Sequence, residues 1–357
     1  MNKLLMFALS FFLFIACKNE HRKEINVITN YNIETLAICF EIAENGFWNF
    51  PFDDYQPMKE LARNEFEKYK KHQAILLIDS LVSQGFWLDK MTEVMLKTSS
   101  VPNAKLIHKL DESTTKKIKD NQDIIERFIN AMNAFYLDAK LEAFFEKHRS
   151  YFANVNSEVK KNLPPKHFIS TMEDYYGKQN ESYTLIPSPT IYHTMGFGMR
   201  IKANVGFKVF NVFGPVIMTK DSTQFGYGFG NSKEIDELTV HEFGHSFINP
   251  ITELESNKKL IDKSEHLFSP IKSIMERQGY RSWSTCVAEH IVRLGEIRIA
   301  LAMNDTIRAN RLRSEYIDNR GFIYLKNLET SIIKYENNRD TYNSIDTYLP
   351  QLLNSLY

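Results

Sequence analysis

The stretch Val240–Pro250, VHEFGHSFINP, sets His241 and His245 four residues apart with Glu242 directly after the first. On a helix, positions i and i+4 differ by about 40° around the axis and one turn along it, so the two imidazoles project side by side. One nitrogen from each ring can then reach a single zinc ion at about 2.0 to 2.1 Å. Glu242, rotated by about 100° from His241, need not bind that ion and can hold a metal-bound water. Zinc lowers the pKa of such a water toward about 7, and the glutamate takes its proton and passes it to a leaving amine. The chemistry to expect is amide hydrolysis with one zinc ion per chain, His241 and His245 as ligands and Glu242 as general base.

A catalytic zinc normally has three protein ligands. The continuation that supplies a nearby third histidine needs glycine at 248 and histidine at 251, and both positions are isoleucine. Later candidates are Glu253, Glu255, Glu265, His266, Glu276, Glu289, His290 and Glu296. Glu253 and Glu255 follow Pro250 too closely to swing back easily. Glu289 stands in the apolar run TCVAEHIVRL, where a carboxylate is costly unless paired or bound to a cation. Metal ligation satisfies it, and an ion pair with Arg293 at i+4 is the ordinary alternative. Glu289 is the first choice for third ligand, with His266 and Glu296 behind it.

The elements that must position these residues fall in a simple order. Residues 33–180 carry apolar positions at three- and four-residue spacing with charges between, as in DNQDIIERFINAMNAFYLDAKLEAFFEKHRSYF, which predicts packed amphipathic helices. Phe128, Met132, Phe135 and Leu137 are expected in their core. Residues 182–219 are rich in Val, Ile, Phe, Tyr, Gly and Pro with short alternating stretches, and predict a small sheet with tight turns. DSTQFGYGFGNS follows as a glycine-rich connector that matches no phosphate-binding fingerprint. Asn231 or Ser232 can cap a helix over 232–248 that ends at Asn249-Pro250. Further helices run to the C-terminus, one over 284–303 carrying Glu289. The fold expected is α+β and predominantly helical, with a catalytic region over 181–357.

The chain has 357 residues, 44 basic and 44 acidic, so no excess of positive charge points to nucleic acid or anionic lipid. Residues 1–16 read as a signal peptide: one lysine, then an apolar run from Leu4 to Ala16 that is too short for the about 20 residues a span requires. Three cysteines give no disulfide framework; Cys39 and Cys286 could pair, or be buried thiols.

The end of that run resembles a bacterial lipobox, which implies lipid on Cys17, residues 17–32 as a polar tether, and a site at the bacterial envelope with the lipid as the only membrane contact. HEFGH, a sheet before it and AEHIV on a later helix resemble the gluzincins, the thermolysin-like zinc metallopeptidases. HEFGHSFINP in a lipoprotein is similar to an uncharacterised bacterial family catalogued as a domain of unknown function, number 4932. The gluzincin resemblance implies a peptide or protein substrate. It implies an antiparallel edge strand about thirty residues before the first histidine, at Asn211, Val212, Phe213 and Gly214, that pairs with substrate backbone. It also implies a carbonyl-polarising side chain, Tyr280 or else Tyr324. One departure is Arg293, where an aspartate that orients a ligand histidine often stands. Two other functions fit the same residues: an envelope binding lipoprotein whose zinc site is structural or vestigial, and a zinc amidase acting on peptidoglycan.

Overall fold

The computed structural model describes residues 23–49, 56–118, 123–193, 195–216 and 226–356. Residues 1–16 and Cys17, on which the signal peptide and the lipid anchor rest, lie outside them, as does part of the glycine-rich connector. Among the described residues no helix is long and apolar enough to cross a membrane.

The helical N-terminal half contains α1 (Tyr31–Ile42), α2 (Pro57–Phe66), α3 (Gln73–Ser83), α4 (Leu88–Leu96), α5 (Glu112–Lys117), α6 (Ile124–Asp138), α7 (Leu141–Lys147), α8 (Arg149–Lys161) and α9 (Phe168–Tyr176). In α6, Phe128, Met132 and Phe135 are buried as the spacing predicts. Leu137 is not, with 60% of its surface exposed. Nine residues at 100° each turn it about 180° from Phe128, onto the solvent face. Helix α1 is buried on almost every side and carries Glu34 and Glu41 inward. Glu41 meets Lys59 at 3.3 Å and also pairs with Arg63, while Glu34 accepts from the Thr190 hydroxyl.

The sheet has four strands in the order β1-β2-β4-β3: β1 (Ile25–Val27), β2 (Ser182–Pro187), β3 (Gly196–Lys202) and β4 (Phe207–Phe213). β2 runs parallel to both β1 and β4, and β3 is antiparallel to β4. Alternation divides the strands between two cores. Tyr183, Leu185, Val209 and Phe213 face the C-terminal core, and Ile186 and Val212 face the N-terminal one. Strand β1 corrects the tether expected over 17–32. Its apolar Ile25 and Val27 pair opposite Tyr183 and Leu185, and Asn30 then caps α1 by accepting from Asn32 and Ile33.

The C-terminal half contains α10 (Ser232–Thr252), α11 (Glu255–Lys263), α12 (Lys272–Arg277), α13 (Trp283–Ala302), α14 (Thr306–Ser314), α15 (Leu325–Asn337) and α16 (Ile345–Asn354). Asn231 caps α10, accepting from Lys233 and Glu234. The helix passes through Pro250 rather than ending there. Proline removes one N–H, but Glu253 N–H still reaches Asn249 O at 3.1 Å, and the Thr252 hydroxyl donates to the carbonyls of Ile248 and Asn249. α10 packs on β3, β4 and α13. A Cβ on Gly244 would stand 3.2 Å from both the Tyr176 hydroxyl and Val292 Cγ1, and a Cβ on Gly295 would overlap that same hydroxyl. Gly244 therefore lets α10 close on Val292 of α13, and both glycines make room for the Tyr176 hydroxyl. Segment 254–279 is tied to α13 by Trp283, whose Nε1–H donates to Ile261 O at 3.1 Å and Ser264 Oγ at 2.9 Å. Cys39 and Cys286 are free, buried thiols, one in each core.

Candidate metal centre

Helix α10 presents His241 and His245 to α13, which returns Glu289. His245 Nε2 lies 3.2 Å from His241 Nε2 and 3.3 Å from Glu289 Oε1, and His241 Nε2 lies 3.7 Å from Glu289 Oε2. Among the described residues, these three are the group of His, Cys, Asp and Glu side chains close enough to share an ion. A tetrahedral ion with bonds of about 2.0 to 2.1 Å spaces its ligands about 3.3 to 3.4 Å apart; the two separations from His245 match this, and the one from His241 to Glu289 is wider, at 3.7 Å.

The other ring nitrogens explain why Nε2 faces inward. His241 Nδ1 donates to Glu296 Oε1 at 2.8 Å, and His245 Nδ1 donates to Asn249 Oδ1 at 3.1 Å. A carboxylate can only accept, so His241 carries its proton on Nδ1 and turns the Nε2 lone pair toward Glu289. Two lone pairs and a carboxylate then converge on one point, and a proton or a cation must stand between them. Burial works against a charge on His245, but Glu289 bonded to Nε2, Glu242 nearby and Asn249 outweigh it and push its pKa up to about 9. Burial would raise Glu289, yet His241, His245 and Arg293 hold it well below the usual carboxylate range. The donor set fits a divalent ion.

Arg293 also decides the alternative reading of Glu289. Its guanidinium donates to Glu289 Oε2 at 3.3 Å, so the i+4 ion pair and the convergence on the histidines coexist: Oε2 faces both Arg293 and His241, and Oε1 faces His245. Arg293 goes on to donate to the Tyr280 hydroxyl at 3.0 Å, and Arg320 donates to the same oxygen at 3.3 Å. Glu296 is held by His241, Arg293 and the Tyr316 hydroxyl. Burial would raise its pKa, but His241, Arg293 and Tyr316 bring it below the ordinary value.

Glu242 stands beside the triad and lines, with His245, a cleft of about 310 Å³. One wall of the cleft is β3, and the other is built by Asp89, Lys90, Glu93, Asp111 and Ser113 of the N-terminal half. A Cβ on Gly198 would stand 2.6 Å from Glu242 Oε2. The glycine is what lets the strand pass over that carboxylate. A second cleft of about 500 Å³ opens on the His241 side, lined among others by Met195, Leu238, Arg293, Tyr316 and Arg320.

Several expected residues sit elsewhere. Asn211, Val212 and Phe213 belong to β4, which is hydrogen-bonded on both sides. They cannot accept an added strand, and Gly214 N–H is spent on Met195 O; the edge is β3. Counting back along the chain finds β4, but the hairpin returns β3 to the outside. The Tyr324 hydroxyl donates to Leu267 O at 2.6 Å and its ring packs on Trp283 and His290, so it is structural. Tyr280 is one residue removed from the triad, through Arg293. Asn249 and Tyr316 carry no site expectation from the sequence, and Glu296, a reserve candidate for third ligand behind Glu289, bonds His241 Nδ1 instead. Asn249 repeats the four-residue step from His245, and Glu296 lies two helical turns after Glu289, so spacing alone carried a signal for both.

No curated protein and no solved structure matches this chain. Residues 34–355 match a domain of unknown function, DUF4932. That span takes in both halves, strands β2 to β4 of the sheet and the triad, and the chain belongs to that family.

Proposed function

We propose that the protein is a zinc-dependent hydrolase of the gluzincin kind, and that it cuts peptide bonds. The observation that carries this is the convergence of His241 Nε2, His245 Nε2 and Glu289 at 3.2 to 3.7 Å with Glu242 at the edge of a cleft rather than in the ligand set. A zinc ion held by these three groups would supply Lewis acidity, acidifying water and polarising a carbonyl. Glu242 takes a proton from the attacking water and delivers it to the departing amine. Glu296 and Asn249 fix the two imidazoles in one tautomer and one orientation. Strand β3 receives substrate backbone by strand addition, a role moved here from residues 211–214, and its glycine at 198 keeps the added strand near Glu242. The Tyr280 hydroxyl accepts from two guanidiniums and so fixes Arg293 beside Glu289, a positioning role in place of direct contact with an oxyanion. On the sequence of residues 1–17 alone, the enzyme is tethered to the bacterial envelope by lipid on Cys17.

Glu242→Gln tests the reading. The variant is expected to retain one zinc per chain and to lose peptide hydrolysis by at least about a hundredfold, the scale of general acid–base catalysis. A wild-type protein that binds no stoichiometric zinc, or a variant that still cuts at the wild-type rate, would overturn it. Zinc retained with no peptide cut by the wild type transfers the function to binding or to amidase chemistry.

A further inference from the structure

We infer that the cleft beside His241 is a carboxylate-recognition site, so that the hydrolase acts on bonds a short distance before a free chain end or an acidic side chain; this rests on the hydrolase reading above. Three observations lead to it. The first is direction. Strand β3 runs from the larger cleft, lined by Met195, to the smaller one, lined by Gly198 and Arg200. A peptide added antiparallel to β3 therefore leaves its C-terminal side in the larger cleft, next to His241. Antiparallel pairing is the more stable of the two alignments.

The second is the pair of guanidiniums. Arg293 and Arg320 both line that cleft and both donate to one oxygen, the Tyr280 hydroxyl, at 3.0 and 3.3 Å. Both lie over the rings of Tyr316 and Phe322, and Gln278 Oε1 accepts from Arg320 Nε at 2.8 Å. These contacts hold two planar cations in fixed orientation. Among the described residues no carboxylate lies within ion-pair distance of Arg320, and the buried Nε of Arg293 has no acceptor. Rigid guanidinium forks match carboxylate geometry.

The third is how the charges are paired. In the larger cleft Arg311 pairs with Glu237, and Arg293 with Glu289 and Glu296. That leaves Arg320, held by Tyr280 and Gln278, and Lys233 without an ion pair among the described residues. The smaller cleft differs: its cations Lys90 and Arg200 are already engaged with Asp89 and Glu253.

The test uses the zinc-loaded full chain carrying Glu242→Gln and an N-acetylated hexapeptide in three forms: free C-terminal acid, C-terminal amide, and amide with glutamate near that end. Calorimetry is expected to show the acid or the glutamate form binding at least about tenfold tighter than the plain amide, the scale of a charged hydrogen bond. Which of the two does so identifies the source of the carboxylate. Adding Arg320→Gln should bring the ratio close to one, and Arg320→Lys should leave it between. Zinc content and melting temperature confirm that the variants are folded. Equal binding of all three forms overturns the inference, as does a ratio unchanged by Arg320→Gln. If wild type cuts all three forms alike, the hydrolase reading stands and this one falls. If wild type cuts nothing while the Arg320-dependent ratio persists, the site stands and hydrolysis falls.

Discussion

Glu296 is the residue whose replacement best separates a built metal site from a chance meeting of histidines. It is 2% exposed, accepts the His241 Nδ1 proton at 2.8 Å and takes the Tyr316 hydroxyl on its other oxygen. Glu296→Ala leaves the buried Tyr316 hydroxyl and the partly buried His241 Nδ1–H unpaired and removes a charge that favours a cation at His241. A hydrogen bond to a charged group is worth about 1.5 to 3 kcal/mol, or about 10- to 150-fold in affinity. That range agrees with the 10- to 100-fold losses typical when a ligand histidine loses its orienting partner. Glu296→Gln keeps an acceptor without the charge, and since charge-assisted bonds are roughly twice as strong as neutral ones, it should cost about tenfold. Glu289→Gln removes a ligand and should cost more than either. Zinc affinity is measured by competition with a chromophoric chelator at neutral pH, with thermal melts to establish folding. The order expected is wild type, Glu296→Gln, Glu296→Ala, Glu289→Gln, from tightest to weakest. A folded Glu296→Ala variant that binds zinc as tightly as wild type refutes the orienting role. One that binds more weakly than Glu289→Gln would make Glu296 the ligand.

Gly198→Ala should lower peptide hydrolysis by at least about tenfold with zinc content unchanged, because its Cβ would stand 2.6 Å from Glu242 Oε2 and displace the base by more than the fraction of an ångström that general-base geometry allows; full activity in a folded variant refutes the close passage of β3. Burial raises Glu34 from 4.5 to about 7 despite hydrogen bonds from Thr190 and Ser188. Between those values the native carboxyl keeps a proton that the unfolded chain has released, so stability falls as pH rises through the window and the loss is complete above about pH 7. With about 1.36 kcal/mol per pKa unit, the loss is about 3 kcal/mol. Glu34→Gln should therefore flatten the urea-denaturation profile between pH 5 and 8 and stabilise the protein at pH 8; a variant with the wild-type slope would show that Glu34 is not its source.

How much was legible follows from the range over which each signal acts. The helical periodicity of 33–180 and the short alternating stretches within 182–219 are local, and helices and strands formed within those ranges. Strand order is not local. Nothing in NVFG distinguishes an inner strand from an edge, because β4 is inner only by virtue of β2 on one side and β3 on the other. The three residues of β1 read as tether because an isolated Ile-Asn-Val has no partner nearby in sequence, its pairing with Tyr183–Leu185 lying more than 150 positions away. Pro250 misled in the opposite sense. A proline in the last turn removes one bond, and the side chain of Thr252 holds the helix past it.

At the metal centre the same division holds, with a consequence for its chemistry. The two candidate ligands His241 and His245 and the proposed base Glu242 share one helix, so spacing alone singled them out. Glu289 was legible through its cost, since an acid in an apolar helix requires a cation. Arg293 met that requirement in sequence and also does so in the fold, at 3.3 Å. A salt bridge that fully satisfied Glu289 would have turned its carboxylate away from α10. Instead one end faces Arg293 and the other faces His245 at 3.3 Å, leaving the acid shared between a fixed cation and the triad. Arg293 is in turn shared with Glu296, which holds His241. Ligand, orienting acid and guanidinium thus form one closed set on α13, and replacing any one of the three should perturb zinc affinity through the other two.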